Sequence, residues 1–242
     1  MRCAYLFARK AGAARLGRMR PEPVDIAQTV VYGVAFGPKN SDRVARMDLN
    51  DLYASVGRLF DLLDERRIDY VLVGGIAMLS YVEGRNTQDI DLIVAEADLA
   101  RLPELRVDER NERFARTWLG ELRVDVLFAE NEPFKTVRER HTTPVSFADR
   151  AVTGPTAIGL LLMKLYALPS LYRQGQFKKV RIYEGDVADL LELPAEVSAE
   201  IWQTLGQILM DGDVVELRRL VEDRESRSRA RAERFDTDND PR

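Results

Sequence analysis

From about residue 47 the apolar positions fall into a regular order. Leu52, Val56, Leu59, Phe60 and Leu63 recur at the spacing of one helix face, with Asn50 or Asp51 placed to cap it. "DYVLVGG" is a short apolar and β-branched run closed by two glycines, which predicts a strand. "IAMLSYVEG" returns to helical spacing and should stop near Gly84. "DIDLIVA" predicts a second strand, and the acidic, leucine-rich residues 96–105 a short helix. "ERFARTWLGELRVDVLFA" predicts two strands turning at Gly120 and Glu121. Alternating helices and strands with at least one hairpin predict an α/β (α+β) fold built on a mixed β-sheet flanked by helices.

After about Asp149 the pattern becomes helical. "TGPTAIGLLLMKLYAL" places Pro155 near a helix start and follows it with a dense apolar run, so this helix should be buried. "EGDVADLLEL", "PAEVSAEIWQTLGQILM" and "DVVELRRLVEDRE" predict further helices. The chain thus divides into a core over 47–150, a C-terminal helical region over 151–225, and a charged tail over 226–242 that should fray. Residues 21–46 are rich in Pro, Gly and polar groups around one apolar patch, "TVVYGVAF", and read as a linker. Residues 1–20 carry six basic residues and no acidic one. Such an end fits an organellar transit peptide, or a poorly ordered extension. The second is favoured because Met47 opens the first well-patterned helix.

Composition narrows the chemistry. The 242 residues can bury one sizeable core, and the net charge of −4 gives no general attraction to nucleic acid or anionic lipid. One cysteine, Cys3, excludes a disulfide framework and a thiolate metal site. One histidine, His141, excludes histidine-cluster metal sites and argues against a histidine-based triad. No apolar run approaches the ~20 residues of a membrane helix. The expected location is the cytoplasm, with no membrane partner.

Against that background Asp89 and Asp91 stand out, since both lie within an otherwise apolar strand. Side chains two apart in a strand share a face, roughly 7 Å apart along it. Two carboxylates so placed repel unless a cation neutralises them. Mg²⁺ prefers oxygen ligands and is commonly held by carboxylates together with substrate phosphates. Asp125, flanked by valines in "LRVDVLF", has the same setting. If its strand lies beside the first, three carboxylates converge at one edge, an arrangement suited to two-metal phosphoryl chemistry. Gly74 and Gly75 fall where a strand gives way to a helix, where bare backbone N–H groups can meet a phosphate. Singly, each feature has an ordinary explanation, such as a wet strand face or a turn. In this order they are far more specific.

Taken together, apolar-Gly-Gly, a spacer, Asp-apolar-Asp and a later apolar-Asp-apolar resemble the nucleotidyltransferase (DNA polymerase β-like) superfamily. "GGIAMLSYVEGRNTQDIDLIV" is especially similar to AbiEii-type toxins, where Arg-x-Thr precedes the Asp pair. The resemblance spans about residues 50–195 and implies a nucleotidyltransferase core. It implies Asp89 and Asp91 as ligands of two Mg²⁺ ions, with Mn²⁺ as a substitute, and Asp125 as third ligand and activator of the attacking hydroxyl. It further implies that Gly74 and Gly75 cradle the triphosphate of an NTP, with Arg85 and Thr87 beside it. Lys164 would bind the nucleotide from a later helix, which is followed by Lys178, Lys179, Asp186 and Asp189. A lysine in so apolar a helix should either find an anion or snorkel at the core's rim. Gly75 departs from the serine that many members carry.

The implied reaction moves NMP from an NTP, such as ATP, to a hydroxyl on RNA, including a tRNA end, or on a protein. The enzyme could then be the toxin of a toxin–antitoxin pair, with an antitoxin protein as partner. Two alternatives are a small-molecule enzyme of the aminoglycoside-modifying type and a non-catalytic module binding nucleotide or a partner protein.

Overall fold

The structure, a computed structural model, describes residues 24–37, 40, 47–82, 87–193 and 199–236. The basic N-terminal stretch and Arg85 lie outside the described residues. Helix α1 (Ile26–Ala35) comes first, then α2 (Leu49–Glu65). Strand β1 (Tyr70–Val73) runs directly into the five-residue helix α3 (Gly74–Met78). Strand β2 (Asp89–Val94), the short α4 (Glu96–Leu99), and strands β3 (Arg106–Arg110), β4 (Phe114–Leu119) and β5 (Leu122–Phe128) complete the sheet. Helix α5 (Phe134–Arg140) precedes a hairpin of β6 (Thr142–Ser146) and β7 (Ala151–Pro155). Among the described residues, α6 (Ala157–Arg173), α7 (Phe177–Leu191), α8 (Ala199–Ile208) and α9 (Asp211–Asp236) follow.

The sheet order is β1-β2-β5-β4-β3, with β2 and β5 parallel and the other neighbours antiparallel, so the sheet is mixed as the pattern predicts. β7 lies against β1. Alternation assigns the two faces. Leu72, Ile90, Leu92, Val94, Val124 and Val126 point to one face and pack on α1 and α2. Val71, Val73 and Ile93 point to the other and pack on the C-terminal helices. Asp89 and Asp91 share that second face, so the strand begins acidic and ends apolar along the same row.

Several boundaries differ from the sequence expectation. The "linker" patch is helix α1, with Ile26, Val30 and Val34 fully buried against α2. Asp25 caps it through Gln28 N (2.7 Å), and Asp149 accepts from Ile26 N at 3.2 Å. Asp48, rather than Asn50 or Asp51, caps α2 by accepting from Asn50 N at 2.8 Å. The helix after the glycines begins at Gly74 itself and ends at Met78, well before Gly84. The helix expected over 96–105 covers only 96–99, and α7 starts at Phe177, seven residues before the predicted segment. α9 continues through the charged tail to Asp236.

Candidate active site

Strand pairing brings the three aspartates together. Asp91 lies in register with Asp125 on the parallel strand β5, and Asp89 with Arg123. In-register neighbours point to the same face at about 4.8 Å between strands. Val73 pairs with Asp91 on the other side, so the turn from β1 into α3 sits beside that carboxylate. Arg116 of β4 is in register with Asp125. One patch of the sheet therefore carries three acids and two arginines, between the Gly74–Gly75 turn and the helices above.

Gly74 has φ +70°, the left-handed region, and a Cβ there would lie 1.8 Å from Asp91 Oδ2. The Asp91 carboxyl thus rests against the glycine's bare Cα. A Cβ on Gly75 would lie 2.6 Å from Thr87 Oγ1. Thr87, nearly buried, donates that hydroxyl to Asp89 Oδ1 at 3.0 Å. The glycines are required here by close packing of Asp91 and Thr87, a reason the sequence pattern does not display. Thr87 orients Asp89, and the hydroxyl in this corner comes from position 87 instead of 75.

Arg123 is the residue that sequence reasoning missed. Its Nε donates to Asp125 Oδ1 at 3.0 Å, Nη2 donates to Asp125 Oδ2, and Nη2 lies 3.0 Å from Asp89 Oδ2. The hydrogen bond to Asp125 and the nearby acids raise its pKa above the ordinary arginine value. Strand alternation already places residues 123 and 125 on one face, so the signal was present in "LRVDV". Arg116 stands further off, with Nε 3.6 Å from Asp125 Oδ1 and Nη1 donating to Glu109 at 2.5 Å.

Asp91 has its pKa pushed up to about 8. Burial is the main cause, followed by the negative charges of Asp89 and Asp125, while Lys164 and Arg123 pull it back down. Lys164 thus acts on the cluster from α6. Its Nζ lies 3.0 Å from Asp186 Oδ2 on α7 and 4.1 Å from the centre of the Tyr183 ring. Both charged side chains are almost fully buried (6% and 1% exposed), which overturns the snorkelling alternative. Lys178, Lys179 and Asp189 are exposed on α7.

Among the described residues, no three His, Cys, Asp or Glu side chains gather closely enough to hold a metal ion as they stand. Strand register sets the three residues side by side, but Arg123 holds the carboxylates of Asp89 and Asp125, while that of Asp91 rests against Gly74. The site nonetheless suits a divalent cation. Its donors are all carboxylate oxygens, the charges of Asp89 and Asp125 raise the pKa of Asp91, and a cationic group already lies between Asp89 and Asp125.

No protein-family profile matches the chain, and no curated protein matches it. Solved structures similar to it include an antigenic nucleotidyltransferase-like protein from Paracoccidioides brasiliensis (18% identity, 67% of this chain and 88% of that one, TM-score 0.43). Another is the lincosamide antibiotic adenylyltransferase LnuA with lincomycin bound (15%, 45% and 83%, TM-score 0.36). A third is ANT(2")-Ia in complex with adenylyl-2"-tobramycin (15%, 72% and 96%, TM-score 0.43). At this distance the chemistry has to be read from the chain's own site. Among the described residues, no helix is long and apolar enough to cross a membrane.

Proposed function

We propose that this protein is a metal-dependent nucleotidyltransferase, moving NMP from an NTP to an acceptor hydroxyl with release of pyrophosphate. The observation that carries the reading is the register of Asp91 with Asp125, with Asp89 on the same face and the Gly74–Gly75 turn alongside. Asp89, Asp91 and Asp125 would hold Mg²⁺ or Mn²⁺, which on binding neutralises charge developing on the transferring phosphoryl group. Asp125 accepts the proton of the attacking hydroxyl. Thr87 keeps Asp89 oriented, Gly74 leaves room for Asp91, and the backbone N–H groups where β1 gives way to α3 would receive the phosphates. Lys164, held by Asp186, sets a positive charge against the same cluster.

The resemblance to AbiEii-type toxins adds an RNA end or a protein hydroxyl as acceptor, and a cognate antitoxin as partner. The alternative acceptor is a small cationic sugar. Incubating the protein with Mg²⁺, each α-labelled NTP, and RNA, protein or aminoglycoside tests the activity and identifies the acceptor together. Label should enter one acceptor class with wild type and none with Asp91→Asn. A second reading, a non-catalytic binding module, is favoured by Arg123 neutralising two of the acids. It predicts nucleotide binding without incorporation.

A further inference from the structure

Arg123 does more than balance charge. It is in register with Asp89 and two residues from Asp125, so its guanidinium reaches both acids without leaving the strand face. It engages Asp125 through two nitrogens and Asp89 through one of them. A guanidinium stays charged at every physiological pH, and its forked donors match a carboxylate. The oxygens it occupies belong to two of the three residues proposed to hold the divalent cation. Arg116 differs: its short contact is to Glu109, and it approaches Asp125 only at 3.6 Å.

We infer that Arg123 is a built-in counter-ion that clasps Asp89 and Asp125 in the metal-free protein and must release them to an incoming divalent cation. This rests on the metal-dependent reading above and deepens it. Metal affinity is then set by competition between the guanidinium and the ion. Free metal binds weakly, whereas a metal–triphosphate brings a cation to replace Arg123 and an anion to receive it. The device keeps the carboxylates from repelling one another when no substrate is present, and it couples charging of the site to arrival of nucleotide.

The test is Mn²⁺ binding without nucleotide, followed by the electron paramagnetic resonance signal of free Mn²⁺, for wild type, Arg123→Gln and Arg116→Gln. Arg123→Gln should bind Mn²⁺ about tenfold more tightly, the scale of one charge-assisted hydrogen bond removed from the competition. Arg116→Gln should stay close to wild type. Unchanged or weaker binding by Arg123→Gln overturns the inference, as does equal tightening in Arg116→Gln, which would mark a general charge effect. A wild-type measurement guards against misfolding of the variant. In ¹⁵N-arginine-labelled protein, the Arg123 Nε–H should exchange slowly without metal and lose that protection on saturation with Mg²⁺. Protection that persists at saturation overturns the clasp. If none of the three proteins binds Mn²⁺, the metal-dependent reading itself falls, and the inference with it.

Discussion

Raising the pH of the metal-free protein should loosen it, because Asp91 is forced to ionise among other acids. In the unfolded chain this carboxyl titrates near the ordinary 3.8, whereas in the fold its pKa is about 8. Between those values the folded state binds the extra proton, so stability is full below about pH 4 and declines as pH rises through about 8. Each unit of displacement is worth about 1.4 kcal/mol, which bounds the loss at about 6 kcal/mol. The opposing fields of Lys164 and Arg123 are already contained in that pKa, and relaxation of the three acids as Asp91 ionises brings the expected loss below the bound, to a few kcal/mol. Urea unfolding in EDTA across pH 5–9 measures it, with Asp91→Asn as reference, since the amide resembles the protonated acid. The variant should already be slightly the more stable at pH 5, and the gap should widen up to about pH 8. Saturating Mg²⁺ should narrow the gap by stabilising ionised Asp91. Parallel curves at all pH values would refute the proposed crowding of the three acids.

Three further outcomes follow from the geometry. Gly74→Ala should cost about 1–2 kcal/mol for the left-handed backbone alone, and by displacing Asp91 should also weaken Mn²⁺ binding; denaturation and Mn²⁺ titration check both. Lys164→Met should destabilise by about 3–5 kcal/mol, because the buried Asp186 carboxyl loses the Lys164 ammonium; it should also weaken NTP binding, and thermal unfolding with NTP titration reads the two effects. Ile26→Ala should cost about 2–5 kcal/mol in chemical denaturation if α1 belongs to the core, whereas a linker there would cost nothing.

What the sequence made legible was decided by how each element is buried. α2 and the β4–β5 pair have one wetter and one dry face, so their spacing shows in the residues, whereas β1 and the end of β2, buried on both faces, show as short apolar runs. The aspartates were legible for the same reason, as acids interrupting apolar rows. α1 escaped because flanking Pro and Gly outweighed the helical spacing of Ile26, Val30 and Val34. β3 escaped because every one of its residues is exposed at the sheet edge, leaving no alternation to read. β6 and β7 carry proline and glycine, which speak against strands when read locally. Lys164 required an anion, and Asp186 supplies it from α7, a contact between distant segments that spacing alone does not fix. Arg123 did not stand out because acids on a strand face point equally to a metal and to a guanidinium, and this one, on β5, reaches Asp125 on its own strand and Asp89 on the next.

The most direct measurement follows two labels in one reaction: Mg²⁺, an NTP labelled at the α-phosphate or at the γ-phosphate, and the acceptor found by incorporation. Nucleotidyl transfer predicts α-label on the acceptor and γ-label in pyrophosphate, both dependent on Mg²⁺ and both lost in Asp91→Asn. Gamma label on the acceptor, or α-label incorporation that survives in Asp91→Asn, would contradict the proposed site and its chemistry.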